Sequence, residues 1–181
     1  MRCLTKSKMV KKRILPKAVR VDEFPKLIRT VPKKDMVAKV AFLLAYGAGM
    51  RISEVLRCSK EHFRSNSVYI PSSKYGVERT VPIPKGWKEE YFEVMPIGEG
   101  RSIVAGSRAL QRRFEKYRRK ANLNPDYTFH SLRHGFATRC LESGMPLNQV
   151  QVLVGHANIK TTSIYVKANP LDAIKSYEKY F

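Results

Sequence analysis

Hydrophobic residues recur at helical spacing along most of the chain and alternate in one place only. A short helix is predicted over residues 21–31. Asp22 and Glu23 fall in its first turn, where carboxylates favour the positive end of the helix dipole, and Pro32 lies just beyond it. The longest apolar stretch, residues 36–50, contains Lys39 and is too short to span a bilayer, so it reads as a buried helix that Asp35 can cap. Gly47 and Gly49 interrupt that pattern, and another helix follows with Ser53 as its expected cap and Glu54 near its start. Alternation is confined to residues 67–71 and 79–84, where Val68, Ile70, Val81 and Ile83 share a face and Lys74-Tyr75-Gly76 supplies a turn.

Helical spacing returns after the hairpin. Ser107 is the expected cap of a basic helix ending near Ala121 and Asn122. Ser131 opens the next helix and Gly144 stops it; Pro146 opens another and Gly155 stops that. Thr161 or Thr162 can cap a helix carrying Tyr165, with Pro170 as its stop. In the last eleven residues Leu171, Ile174, Tyr177 or Glu178, and Phe181 form one stripe. The fold class that follows is mainly α with one small antiparallel β-hairpin (α+β), with Leu132, Phe136 and Leu141 among its core residues.

A length of 181 residues bounds this to one domain, or one domain and an arm. Residues 1–16 read as a flexible basic arm, because Arg2, Lys6, Lys8, Lys11, Lys12 and Arg13 occur there without an acid. A second basic group, Arg108, Arg112, Arg113, Lys116, Arg118, Arg119 and Lys120, is broken only by Glu115. With 35 Lys and Arg against 15 Asp and Glu, the formal charge is +20. Such self-repulsion destabilises a compact chain unless a polyanion offsets it, and nucleic acid is the commonest one. A membrane surface would ask for a basic amphipathic helix with a bulky apolar face. A salt-bridged thermophile surface would ask for more acids. Cys3, Cys58 and Cys140 lie far apart and read as free thiols of a reducing compartment, and no signal peptide is visible.

Several polar residues stand where packing does not ask for them. Arg51 follows a Gly-Ala-Gly-Met break; His130 and Arg133 sit three apart at a helix start; His156 follows a glycine stop; Tyr165 lies nine residues on; Lys74 is at the hairpin tip. Together they suit phosphoryl transfer without metal. Two guanidinium forks can clamp the non-bridging oxygens, and a tyrosine can attack phosphorus. His130 can take the tyrosine proton, Lys74 can protonate the leaving oxygen, and His156 can hydrogen-bond a phosphate oxygen. A two-metal nuclease needs clustered carboxylates, and the acids here are scattered, so no metal is expected.

These segments resemble known motifs. Gly-Ala-Gly-Met-Arg51-Ile-Ser-Glu-Val-Leu, the hairpin around Lys74, His130-Ser-Leu-Arg133-His-Gly, and Leu-Val-Gly-His156 with Thr-Thr-Ser-Ile-Tyr165 are similar, in order, to those of the tyrosine recombinase (phage integrase) family. The resemblance runs from about residue 15 to 170. It implies a catalytic domain over residues 17–170 and a tail, residues 171–181, that docks on its own domain or on a neighbouring protomer. It implies Arg51, Lys74, His130, Arg133, His156 and Tyr165 in an active site without a cofactor, with Tyr165 forming a 3′-phosphotyrosine link to double-stranded DNA. It further implies a site-specific recombinase or integrase acting as a homotetramer through a Holliday junction, monomeric without DNA. Such an enzyme works in the cytoplasm at the nucleoid, or is virus-encoded and acts in a host's cytoplasm. Family members usually carry an N-terminal helical domain where this chain has only an arm. The chain is then either an excised domain or a minimal enzyme, and loose, strongly salt-dependent DNA binding is expected.

DNA contacts are expected from Arg108, Arg112, Arg113, Lys116, Arg119 and Lys120 on the basic helix, docked through Leu110, Phe114 and Tyr117, and from Arg79 beside the hairpin turn. Blander readings stand beside these. Arg51 can be a helix-end ion pair, His130 and Arg133 a surface pair, His156 a helix C-cap, Lys74 a solvated turn residue and Tyr165 a core aromatic. Rival functions are a type IB topoisomerase, a non-catalytic DNA-binding module of the same fold, and a structural nucleoid protein.

Overall fold

A computed structural model describes residues 17–71, 78–98, 106–155 and 170–181, with the backbone alone at 170–172. The arm, the hairpin tip with Lys74, and the segment carrying His156 and Tyr165 lie outside the described residues. Seven helices are described: α1 (Glu23–Thr30), α2 (Met36–Gly47), α3 (Ile52–Arg57), α4 (Ser107–Lys120), α5 (Phe129–Glu142), α6 (Leu147–Val154) and α7 (Pro170–Tyr180). Strands β1 (Ser67–Ile70) and β2 (Arg79–Pro82) form an antiparallel pair in which Val68 faces Val81 and Ile70 faces Arg79. Short 3-10 turns at Lys60–His62 and Glu89–Val94 flank the hairpin.

Helix α2 is the central element because it is apolar nearly all round, which only a buried helix tolerates. Val37, Ala38, Val40, Ala41, Phe42, Leu44, Ala45 and Tyr46 are all buried, and the helix packs against α3, α4 and α5. Phe42 presents its ring to the edges of Phe114, Tyr117 and Phe129, at centroid distances of 5.7, 6.3 and 6.1 Å. Full burial of each such side chain contributes about 1.5–3 kcal/mol. The expected stripe of Leu110, Phe114 and Tyr117 docks α4, and Asp35 ties the two helices. Its carboxylate accepts the Ala38 N–H at 3.2 Å as cap of α2 and the Tyr117 hydroxyl at 2.7 Å. A second cluster joins Phe136, Cys140, Met145, Val150 and Leu153 to Ala173, Ile174 and Tyr177, so α7 packs on its own domain, against α6 and β2.

Several expectations need correction at element ends. The first helix spans Glu23–Thr30, inside the predicted 21–31. Ser53 lies inside α3, whose N-cap is Arg51, because the Glu54 carboxylate reaches back to accept the Arg51 backbone N–H at 2.7 Å. Ser107 is the first residue of α4, and Gly106 is its N-cap. Ser131 does not open α5; its hydroxyl accepts the Thr128 N–H at 3.0 Å from within the first turn. Pro170 is the first residue of α7, as suits a residue with no N–H to offer, and the helix expected to carry Tyr165 before it lies outside the described residues. Leu141, expected in the core, is exposed on the outer side of α5.

Candidate active site

The site grows from the break between α2 and α3. Gly49 takes a left-handed φ of 64°, and a Cβ there would lie 2.5 Å from the Phe136 ring, so only glycine fits. The turn aims the Gly49 carbonyl at Arg133 of α5, which donates to it at 2.6 Å. It also delivers Arg51 to the start of α3, three residues before Glu54.

Glu54 is the hub. Its buried carboxylate accepts two hydrogen bonds from Arg79, at 2.8 and 2.7 Å, and one from the Arg51 side chain at 3.0 Å; Arg133 lies 3.9 Å away. Burial alone would raise the Glu54 carboxyl. The Arg79 hydrogen bond and charge, then the Arg51 backbone and side chain, outweigh burial and hold it at about 2. Three guanidinium groups around one carboxylate leave an excess of positive charge, the electrostatic setting that a phosphate needs. Burial, then the Arg51 and Arg79 charges, push the Arg133 guanidinium below its ordinary value, while Glu54 counters them.

The arginines also converge on the end of α6. Arg79 Nε donates to the Leu153 carbonyl at 2.8 Å, Arg133 donates to the Val154 carbonyl, and Arg51 donates to the Gly155 carbonyl at 2.7 Å. Gly155 ends the helix with a left-handed φ of 60°, and His156 follows it in the chain. His130 lies in the first turn of α5 and is exposed. Partial burial, then the charges of Arg133 and Arg51, lower its pKa from the ordinary value, which favours the neutral ring that can accept a proton. His134, one turn on, has its ring centroid 6.1 Å from that of His130.

The structure therefore brings Arg51, His130 and Arg133 into one region. Lys74, His156 and Tyr165 are outside the described residues. The bland reading of Arg51 also has substance, since it does form a helix-end ion pair with Glu54. Arg79 is corrected. It was expected on the surface as a DNA contact, but only 3% of its side chain is exposed and its fork is spent on Glu54 and Leu153. The strand pattern held the clue: period-two alternation puts residue 79 on the same side as buried Val81. Glu54 was placed in sequence as a helix-start residue only; its Arg-x-x-Glu spacing to Arg51 was the available signal.

On α4, Arg108, Arg112, Lys116, Arg119 and Lys120 are exposed, and the first three repeat every four residues along one face. Arg113 is half-buried, 3.5 Å from Asp35. Arg118 donates to the Pro125 and Tyr127 carbonyls and fixes the loop after the helix. Among the described residues no group of three or more His, Cys, Asp or Glu is placed to hold a metal ion. No helix there is long and apolar enough to cross a membrane.

Residues 17–171 match the model described as the phage integrase family. The chain is 32% identical over 179 residues to tyrosine recombinase XerA of Thermococcus onnurineus, covering 91% of this chain and 63% of that protein. The curated relatives of this kind are longer, and the chain spans about three fifths of their length. Among solved structures, the integrase from mycobacterium phage Brujita superposes with a TM-score of 0.69 at 21% identity, over 95% of this chain and 60% of that one. The lambda integrase tetramer bound to a Holliday junction superposes with a TM-score of 0.60 at 22% identity, over 90% of this chain and 52% of that one.

Proposed function

The chain belongs to the phage integrase family, and from that premise we propose that it cuts and rejoins double-stranded DNA through Tyr165, as a site-specific recombinase. The observation that carries this reading is the convergence of Arg51 and Arg133, from opposite halves of the chain, on one buried carboxylate, that of Glu54.

In the proposed step the Tyr165 oxygen attacks the scissile phosphorus. A tyrosyl O–P bond forms and the P–O5′ bond breaks, leaving a 3′-phosphotyrosine and a free 5′-hydroxyl. His130 takes the phenolic proton. Lys74 gives a proton to the departing 5′-oxygen. Arg51 and Arg133 bind the non-bridging oxygens, and His156 adds a further donor. Glu54 and backbone carbonyls already hold the two guanidiniums in place, so little reorganisation remains when the phosphate arrives. The reverse step, with a 5′-hydroxyl attacking the phosphotyrosine, rejoins the strand without ATP, because each exchange conserves one phosphodiester bond.

The exposed basic face of α4 supplies sequence-independent phosphate contacts from Arg108, Arg112, Lys116, Arg119 and Lys120, with Arg113 at its edge. Partnered exchange asks for a homotetramer assembled on DNA, and the work belongs in the cytoplasm, where DNA is accessible. The lambda integrase tetramer on a Holliday junction is a precedent for that assembly in this fold.

The test uses a library of nicked duplexes of randomised sequence, from which strands covalently captured by the chain are amplified. The expected result is a denaturant-stable protein–DNA adduct that forms in EDTA and is absent in Tyr165→Phe. No adduct across the library favours the binding-module reading. An adduct accompanied by supercoil relaxation from monomers, with no junction product, favours the topoisomerase reading.

A further inference from the structure

Three consecutive carbonyls end α6, and each is taken by a different arginine: Leu153 by Arg79, Val154 by Arg133 and Gly155 by Arg51. The last carbonyls of a helix have no partners within it and carry the negative end of its dipole. Water satisfies such groups at most helix ends. Here side chains from β2, α5 and α3 do so, all three meeting again at Glu54. Two of the three arginines are proposed phosphate ligands. Arg79 differs from them: its two terminal nitrogens and its Nε are all engaged, and its stem lies so close to Gly155 that a Cβ there would be 2.9 Å from Arg79 Cδ.

We propose that Arg79 is a positioning residue of the reaction, whose fork ties the Glu54 carboxylate to the end of α6 and so sets Arg51, Arg133 and the chain leading to His156 in one frame. The proposal rests on the reading that Tyr165 attacks a phosphate held by Arg51 and Arg133. Its chemistry is geometric. One planar guanidinium spans the carboxylate and the carbonyl together, which the single-point ammonium of lysine cannot do. Without that span, Glu54 keeps Arg51 but loses its fixed distance from α6. A displacement of about 1 Å in a reacting constellation slows chemistry by about a hundredfold.

The experiment takes a duplex recovered from the nicked library and compares the unaltered chain with Arg79→Lys. DNA affinity is read by fluorescence anisotropy, and adduct formation is followed in single turnover at saturating protein, with thermal melting alongside. The expected result is affinity close to that of the unaltered chain, full adduct amplitude, and a rate lower by about tenfold to a hundredfold. A purely structural role lowers the amplitude with the folded fraction and leaves the rate of the folded molecules unchanged; that result overturns the proposal, as does an unaltered rate. If Arg79→Lys does not fold, the double variant Arg79→Gln with Glu54→Gln, which leaves neither charge unpaired, is read in the same way. A normal rate in it overturns the proposal and a slow one supports it. Absence of any adduct from the unaltered chain overturns the reading of Tyr165 itself, a separate outcome from a normal rate in Arg79→Lys.

Discussion

The Arg133 guanidinium donates to the carbonyl of Gly49 at 2.6 Å, so a residue of α5 holds the turn that aims Arg51. The turn exists because Gly49 adopts a φ of 64° with the Phe136 ring against its α-carbon. Gly49→Ala places a methyl 2.5 Å from that ring and forces a left-handed alanine. The expected loss of stability is at least about 2 kcal/mol, combining the left-handed penalty with overpacking. Chemical denaturation measures it, and a loss under about half that value would falsify this account of the turn.

Glu54 makes the cluster sensitive to acid. Its carboxyl, ordinarily at 4.5, is held at about 2 in the folded protein. A depressed folded pKa contributes stability that is fully present above the unfolded value and lost as pH falls through the folded one. The window is therefore about pH 4.5 down to 2, and the shift corresponds to roughly 3 kcal/mol. Glu54→Gln is expected to be much less stable than the unaltered chain at pH 7 and to show a smaller gap at pH 3. Equal gaps at the two pH values, measured by urea titration, sink the idea.

Helical periodicity places α4, α5 and α6 from sequence because each buries an apolar stripe whatever lies opposite it, and α2 is legible from its long apolar run. Caps are less legible. Ser53 and Ser107 have the right chemistry, but a cap is decided by which side chain reaches the free N–H groups, and at α3 that is Glu54. Arg79 reads in sequence as a surface cation because charge usually means exposure. Strand alternation marks the inward side, but the partners of Arg79, Glu54 25 positions earlier and Leu153 74 positions later, are recorded in no local pattern. Arg51 and Arg133 are legible as a pair only through their motifs, since the chain joins them by tertiary folding.

The basic residues of α4 divide into two kinds. Arg112 is exposed on the outer face, whereas Arg118 is turned inward to the Pro125 and Tyr127 carbonyls. Arg112→Ala is expected to lower the slope of log affinity against log salt by about 0.9 for duplex DNA, with little change in melting. Arg118→Ala is expected to reverse that pattern, costing about 1 kcal/mol of stability by removing its hydrogen bonds to the Pro125 and Tyr127 carbonyls. Anisotropy titrations across a salt series, paired with melts, distinguish them; identical behaviour of the two variants refutes the division.

Helix α7 is bound to its own domain by Tyr177. The ring stacks on Phe136 at 5.9 Å and lies tilted against Phe181 at 4.7 Å, and the hydroxyl accepts from Arg139 at 3.0 Å. Tyr177→Ala is expected to destabilise the dilute, DNA-free chain by about 2–4 kcal/mol. If the tail docked only on a neighbour, the variant would unfold at the same denaturant concentration as the unaltered chain when both are dilute.

His130 gives the proposed reaction its acid limb. Partial burial and the charges of Arg133 and Arg51 lower its pKa, and its place in the first turn of α5 adds the positive end of the helix dipole. Protonation removes the lone pair that would accept the Tyr165 proton, so adduct formation should fall as pH drops through a value below 6.5 and level off above it. His130→Gln keeps a hydrogen-bonding side chain but no base near neutrality. It should react about a hundredfold more slowly and lose that inflection. The inflection distinguishes this from loss of folding, because an unfolded fraction changes the adduct yield without moving a midpoint. Single-turnover rates from pH 5 to 8 decide it: an inflection that persists in His130→Gln assigns the titration to another group and removes His130 from the role of base.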